Sequence, residues 1–209
     1  SAFVAALANA TGRTRVALVQ SIGNRRIAAA VPALGGLLNQ TDTATSAAAA
    51  AALGQVGNSA ALAALRAAPN ATAAAVVEAK LATARRLPAA DATALYRELQ
   101  ADSRLPAHQR ATALRGLIDL EPASAAGRIA DALAGADWAQ KQAAIESIRA
   151  HPAAGLVASL AAKLPVWDIP TQTAVLTAFG RRGEAGAIAA LVAAMKHAYA
   201  TVRAAAIAA

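Results

Sequence analysis

The large apolar residues of the chain recur every 31 residues. Within each recurrence they follow one another at steps of three and four, which is the spacing of one face of an α-helix. Two series, starting at Val19 and at Leu34, share their register with a third. The third series consists of Ile22, Leu53, Ala84, Leu117, Ile148 and Phe179. One two-residue insertion between Ala84 and Leu117 is the only irregularity, so the chain is predicted to be built from repeats.

Each repeat is predicted to contain two helices joined by a short turn. In the first repeat the apolar spacing breaks at Gly23 and resumes at Val31, and the breaks of the second and sixth repeats lie at 54–58 and 180–183. Glycine at these breaks is expected to supply the left-handed residue that ends a helix. The segment 180–183, Gly-Arg-Arg-Gly, could instead cradle a phosphate, but that motif needs a preceding strand, which the pattern does not predict.

A pair of such short helices cannot bury its apolar stripes alone, so successive pairs must stack. The predicted fold is all-α, a right-handed α-solenoid of about six helix pairs. We expect residues 1–209 to form a single repeat domain, with a local irregularity at 100–106. Because the chain starts on a segment like a second helix and stops on one like a first helix, it is expected to be a fragment of a longer repeat or multidomain protein.

One unit carries a recognisable family pattern. The segment SAAAAAALGQVGNSAALAALRAA, residues 46–68, has an Ala-rich helix ending in Leu-Gly, a short turn and a helix with leucine at fixed steps. It resembles HEAT repeats, and particularly the short bacterial HEAT-like repeats first named from phycobilisome lyases. The residues that match the family's arginine and acidic positions are Arg15, Arg110 and Arg203, with Lys141 as a conservative change, and Asp42, Asp137 and Asp168.

The resemblance implies a scaffold that holds protein partners. Some members of the family assist bilin attachment, and HEAT-like folds also occur in alkylpurine DNA glycosylases. The fold alone does not choose among these activities.

Catalytic and metal-binding chemistry finds few candidates. The chain has no cysteine, so thiolate ligands, thiol nucleophiles and disulfides are excluded. His108, His151 and His197 are not spaced to share a metal on one helix, and each is expected in a surface turn or near a helix end. The twelve carboxylates are dispersed, and no apolar run is long enough to span a membrane. No catalytic residue, cofactor or metal site is therefore predicted, and the chain is not expected to be an enzyme.

The two tryptophans each neighbour an aspartate at the entrance of a predicted first helix. The pairs are Asp137 with Trp138 and Trp167 with Asp168. In one interpretation each indole packs beneath an inter-repeat loop while the aspartate caps the helix. In the other, an aromatic ring and an acid on a basic surface form the start of a DNA glycosylase site. We favour the first interpretation, because two isolated tryptophans make a poor platform for stacking bases.

Positive charge is organised along the repeats. The net charge is +8, and sixteen of the twenty cationic residues are arginine. Several arginines fall in the turn between first and second helices, so in a solenoid they would share one edge. This candidate rim for an anionic partner consists of Arg25, Arg26, Arg85, Arg86, Arg149, Arg181 and Arg182. In the alternative, these cations only offset the negative ends of helix dipoles and keep the turns soluble.

These observations predict a non-enzymatic scaffold or protein–protein interaction module with a protein partner. The alternative is a nucleic-acid-binding HEAT-like protein, of the alkylpurine DNA glycosylase type, although the modest charge and the scarcity of aromatics predict only weak, non-specific binding. Chromophore handling rests on the family resemblance alone. A basic groove with an accessible Asp and Trp would favour nucleic acid, whereas a small-residue groove without clustered titratable groups would favour a scaffold.

Overall fold

The computed structural model of the chain describes residues 2–70, 73–152, 155–184 and 186–209. Over these residues the structure is all-α, with fourteen α-helices, three one-turn 3-10 helices and no strand. First and second helices of successive pairs alternate along the chain, which confirms the predicted all-α solenoid class. The chain divides into two compact units, residues 1–105 and 106–209, at the segment for which an irregularity was expected. The single domain over residues 1–209 stays a prediction.

Unit 1 contains two rows of helices with the core between them. Its helices are α1 (Ala2–Asn9), α2 (Gly12–Asn24), α3 (Val31–Leu37), α4 (Thr43–Val56), α5 (Ser59–Arg66), α6 (Ala74–Ala84) and α7 (Ala89–Ala101). The first helices α2, α4 and α6 pack side by side, and the second helix α3 packs against α5. Val19, Ile22, Leu34 and Leu53 are completely buried in this core.

Unit 2 repeats this arrangement. Its helices are α8 (Ala107–Leu120), α9 (Ala125–Ala134), α10 (Trp138–Ala150), α11 (Leu156–Ala161), α12 (Ile169–Arg182), α13 (Gly186–Ala194) and α14 (Ala200–Ala208). The first helices α8, α10, α12 and α14 form one row, and α9, α11 and α13 form the other. Ile129, Ile148, Leu160 and Phe179 lie in the core between the rows.

Burial follows the predicted register. Every member of the series from Ile22 to Phe179 is buried. The series from Leu34 is buried as far as Leu160, and the series from Val19 is buried as far as Leu176. The 31-residue period therefore marks the positions at which each helix pair contributes to the core, and that prediction is confirmed.

Gly57 and Gly183, which lie in two of the predicted breaks, end α4 and α12 with left-handed backbone as expected, but the first glycine of each break does not end a helix. Gly23, Gly54 and Gly180 lie inside α2, α4 and α12. Left-handed backbone is found three residues further on in each case. The residues with a positive φ at these places are Arg26, Gly57 and Gly183.

The physical reason for the internal glycines is the close approach of neighbouring first helices. A Cβ atom on Gly23 would lie 2.8 Å from the Cα atom of Ala52 on α4. A Cβ atom on Gly54 would lie 3.0 Å from the Cα atom of Ala79 on α6. Contacts this short force a shift of the backbone, so glycine is needed here to bring the helices together.

The same glycine-to-alanine change should therefore have opposite effects at two helical positions of unit 1. Gly23→Ala is expected to lower the free energy of unfolding by about 1–3 kcal/mol, because the added methyl group overpacks the contact with α4. Gly36→Ala adds a methyl group with no atom within 4 Å. That change should raise the free energy of unfolding by about 0.5–1 kcal/mol through helix propensity. Denaturant titrations of both variants check this, and effects of equal sign would contradict it.

Candidate functional site

The arginines of the predicted rim lie in the turns that follow first helices. In unit 1, Arg25 and Arg26 follow α2, and Arg85 and Arg86 follow α6. All four are exposed. Because α2, α4 and α6 pack side by side, their turns lie at one end of the unit. We call this row of turns, residues 25–28, 57–58 and 85–88, the turn edge of unit 1.

Three of these arginines have no electrostatic partner. Within the described residues, Arg26, Arg85 and Arg86 make neither an ion pair nor a side-chain hydrogen bond. The guanidinium of Arg25 lies over the ring of Phe3, 5.2 Å from its centroid, and so keeps its positive charge without a carboxylate. The turn edge of unit 1 therefore presents positive charge that the described part of the fold does not neutralise.

Other arginines of the same unit are paired. Arg66 on α5 forms an ion pair with Glu98 on α7. Arg104 binds the carboxylate of Asp102 through two nitrogens, each at 2.8 Å. The contrast shows that the unit has carboxylates that pair with some arginines, whereas no described carboxylate forms an ion pair with an arginine of the turn edge.

Arg26 also has an unfavourable backbone conformation. Its φ is +50°, in the left-handed region. Among the described residues, Arg26 is the one non-glycine residue with a positive φ. Gly57 and Gly183 occupy the equivalent position in the second and sixth repeats. An L-residue in this conformation costs roughly 1–2 kcal/mol relative to a right-handed one. The Arg26 amide donates a hydrogen bond to the carbonyl of Gly23 at 2.8 Å, so the turn itself is well formed.

In unit 2 the predicted rim residues have different roles. Arg149 and Arg181 are exposed and have no side-chain partner within the described residues. Arg182 is half-buried, binds the carboxylate of Glu184 and donates to the carbonyl of Ile148 at 2.8 Å. Arg182 thus ties α12 to the end of α10, and its guanidinium is already engaged. Binding of an anionic partner by the seven arginines stays a prediction.

The opposite ends of the first helices carry capping aspartates. Asp42 accepts a hydrogen bond from the Ala44 amide at 3.1 Å, and Asp168 accepts one from the Thr171 amide at 2.7 Å. Asp137 caps α10 in the same way. The predicted capping role of Asp137 and Asp168 is confirmed, and Asp42 caps α4 as well.

Cations of one repeat bind the capping aspartates of the next. Arg110 pairs with Asp137, and Lys141 pairs with Asp168 at 3.0 Å. The partners are 27 residues apart in both cases. Sequence reasoning identified these residues separately but missed that they bind each other. Their constant separation is the signal that could have revealed the pairing.

Asp168 has a strongly depressed pKa. The side-chain and backbone hydrogen bonds of Thr171, followed by the hydrogen bond from Lys141, lower the pKa of this carboxyl from 3.8 to about 2. The ionised carboxylate is therefore the form that the folded chain stabilises.

One tryptophan and one histidine lie in environments that differ from the predicted ones. Trp167 is buried in the core of unit 2, whereas Trp138 is 68% exposed. Trp138 borders an open cleft of about 500 Å³ that Lys141, Asp168 and Pro170 also line. His151, expected in a surface turn, is buried with Nε2 3.1 Å from the carbonyl oxygen of Ile118. A histidine at the end of α10 is covered because that end packs on the neighbouring first helix.

Metal binding and membrane crossing are the site classes that remain for the described residues. These residues contain no group of three or more His, Cys, Asp or Glu side chains that could hold a metal ion. In the same ranges, every helix is too short or too polar to cross a membrane.

The family comparison agrees with this geometry. Residues 1–84 match the family model of HEAT repeats. This match covers the first 84 of the 209 residues. No curated protein matches it. The structure of human deoxyhypusine hydroxylase in complex with glycerol is 21% identical, with 99% of this chain and 81% of that chain covered and a TM-score of 0.45. An engineered protein is 17% identical, with 99% and 66% covered and a TM-score of 0.44.

One prediction has to be corrected here. The chain was not expected to be an enzyme, but a structure similar to it is that of an enzyme, deoxyhypusine hydroxylase. HEAT-like folds are shared by enzymes and non-enzymes, so the repeat architecture does not exclude catalysis. The deduction failed because dispersed carboxylates in a sequence do not exclude a site assembled from several repeats.

The aspartate that caps α12 should make the stability of the fold depend on pH. Asp168→Ala removes the cap and the ion pair, and should lower the free energy of unfolding near neutral pH by about 1 kcal/mol. Because the pKa of Asp168 is depressed in the folded chain, its contribution is present above the ordinary value of 3.8 and is lost as the pH falls through about 2. The stability difference between the wild type and Asp168→Ala should therefore shrink over that window in urea titrations.

Asp168→Asn is the matched control for this experiment, because asparagine still caps a helix but carries no charge. It should cost less than the alanine change. A difference between the wild type and Asp168→Ala that stays constant as the pH falls would show that the charge of Asp168 contributes nothing.

Proposed function

We propose that this HEAT-repeat chain is a scaffold whose turn edge in unit 1 binds an acidic surface of a partner protein. The observation that carries the proposal is a row of exposed arginines that no carboxylate neutralises, with Arg26 on a strained backbone. A finer assignment to the phycobilisome-lyase type of repeat rests on the unit at residues 46–68 alone.

The charge at the turn edge works against the isolated fold. Arg25 and Arg26 share one turn, Arg85 and Arg86 share another, and the turn that follows α4 lies between them. The two like charges within each turn repel each other unless a counter-charge is present. Cations at the last turn of a helix gain a few tenths of a kcal/mol from the helix dipole. That gain requires one cation at each turn, whereas α2 and α6 are each followed by two.

The backbone of Arg26 supports the same interpretation. Glycine fills this position in two other repeats without strain, so the fold does not need an arginine there. The side chain of Arg26 makes no ion pair or hydrogen bond within the described residues that would offset the cost. A strained residue whose side chain makes no hydrogen bond or ion pair within the fold is typical of a binding site, where the compensating interaction comes from the partner.

The spacing of the turns fits acidic side chains. Neighbouring packed helices lie about 8–10 Å apart, so the turns after α2 and α6, with α4 between them, lie about 16–20 Å apart. Carboxylates about eleven residues apart on one face of a helix lie about 16.5 Å apart, within that range. The described residues of unit 1 expose no large aromatic side chain on which a base could stack, which favours protein over single-stranded nucleic acid.

Replacing Arg26 with glycine separates the two contributions of this residue. Arg26→Gly should raise the free energy of unfolding by about 1 kcal/mol, because glycine adopts the left-handed conformation without strain. The same variant should bind an acidic probe more weakly, because one cation is lost. Denaturant titration and anisotropy with a labelled oligoglutamate peptide measure the two effects. A variant that is more stable and binds equally well would contradict the proposal.

A second pair of variants tests whether position or only total charge matters. Arg85→Gln should weaken oligoglutamate binding, and combining it with Arg26→Gly should weaken binding further and decrease its salt dependence. Arg66→Gln is the matched control in the same unit, because it removes one charge from a position that already has a carboxylate partner. Equal losses for Arg85→Gln and Arg66→Gln would show non-specific attraction. Tighter, salt-dependent binding to a short DNA duplex than to oligoglutamate would favour the nucleic-acid alternative.

A further inference from the structure

We propose that the turn edge of unit 1 binds an acidic helix, and that Gly57 positions Arg86 to contact the middle of that helix. This inference rests on the proposed function, the binding of an acidic protein surface at the turn edge, and names the element that supplies the surface. Its basis is the path of the Arg86 side chain across a neighbouring turn.

The side chain of Arg86 lies on the turn of the preceding repeat. A Cβ atom on Gly57 would lie 2.9 Å from the Cβ atom and 3.0 Å from the Cγ atom of Arg86, and closer still to its Cδ atom. Gly57 is buried although it lies in a turn, whereas Arg86 is exposed. Because the guanidinium group is bonded directly to Cδ, the charge of Arg86 lies beside the turn that follows α4.

Two features of position 57 favour glycine. Its φ is +63°, in the left-handed region, which an L-residue adopts only at a cost. The stem of Arg86 also fills the space that a side chain at position 57 would occupy. Gly183 is the equivalent residue of the sixth repeat and has a φ of +66°, but a Cβ atom there would meet no atom within 4 Å. Of these two glycines, Gly57 is therefore the one that holds an arginine in place.

The repeat before Arg86 makes a similar contact without a charge. Gln55 is the equivalent of Arg86 in the 31-residue period. The side-chain oxygen of Gln55 lies in the space that a methyl group on Gly23 would fill, so this side chain also reaches back to the preceding repeat. A neutral side chain is sufficient for that contact. The positive charge of Arg86 is therefore not needed to pack one repeat on another.

The path of Arg86 gives each of three consecutive turns a cation. Arg26 lies in the turn after α2, Arg86 lies beside the turn after α4, and Arg85 lies in the turn after α6. The middle turn, residues 57–58, has no charged residue of its own. Because packed helices lie about 8–10 Å apart, the three turns form a row with steps of about that length.

An α-helix presents carboxylates with matching steps. Side chains at positions i, i+7 and i+11 lie on one face, about 10.5 and 16.5 Å along the axis from the first. Side chains on one face of an extended strand follow at about 6.6–6.8 Å, which is shorter than one step between the turns. The turn edge therefore fits an acidic helix better than an acidic strand.

A pair of helical peptides tests the middle contact. Both are alanine-rich, about 20 residues long and labelled for anisotropy, and circular dichroism verifies their helix content. One has glutamate at i, i+7 and i+11, and the other has glutamine at i+7. The wild-type chain should bind the first peptide roughly two- to fivefold more tightly at low salt, because one more exposed ion pair forms. Arg86→Gln should abolish this preference, whereas Arg85→Gln should weaken binding of both peptides and retain it.

Gly57→Ala tests the positioning, because it displaces Arg86 without removing a charge. Gly183→Ala is the matched control, since it strains the same backbone conformation and displaces nothing. Circular dichroism verifies that both variants are folded. Loss of the preference in Gly57→Ala and its retention in Gly183→Ala would support the proposal.

Two results would overturn this inference while oligoglutamate still binds. They are equal binding of the two peptides by the wild type and a preference that survives Arg86→Gln. Absence of binding by oligoglutamate and by both peptides would overturn the proposed function together with the inference.

Discussion

The close approach of neighbouring first helices is the constraint on which the rest of the structure depends. About a third of the residues are alanine and only 3% are aromatic, so each side chain buries little apolar area. Such a core gains enough dispersion energy only if the helices approach closely. Gly23 against Ala52 and Gly54 against Ala79 provide that approach, and Gly180 against Ala209 repeats it in unit 2. The register of these contacts determines where every turn and every cap lies.

The two ends of the first helices use the same chemistry for different purposes. At the helix starts, cations bind the aspartates that cap the following repeat, so the charges are consumed within the fold. At the turn edge of unit 1, arginines that are more exposed than these cations have no such partner among the described residues. Net charge alone does not distinguish these two groups, since every cation adds +1 to the total, which comes to +8, whether or not it has a partner. The distinction lies in where the carboxylates are, and it is the basis for assigning binding to one edge.

The sequence predicted the helix pairs, the buried series and the shared edge of the arginines, because all three follow from one period. It did not predict the backbone of Arg26, since a left-handed arginine has no signature in composition or spacing. The bonds of Arg182 to two carbonyls and the burial of His151 depend on how α10 and α12 meet, which a one-dimensional pattern does not contain. Trp138 and Trp167 look equivalent in sequence, yet only packing decides that one is exposed. The same limit explains why enzymatic activity was excluded too readily.

Hydrogen–deuterium exchange with and without the oligoglutamate peptide at low salt tests the central claim most directly, because it locates the bound surface on the intact chain. Binding at the turn edge of unit 1 predicts slower exchange of the backbone amides at 25–28 and 85–88, because the bound peptide restricts opening of these turns. The inter-repeat loops, including residues 39–42, should exchange as in the free chain. Protection confined to those loops, or binding without any protection at the turn edge, would contradict the account.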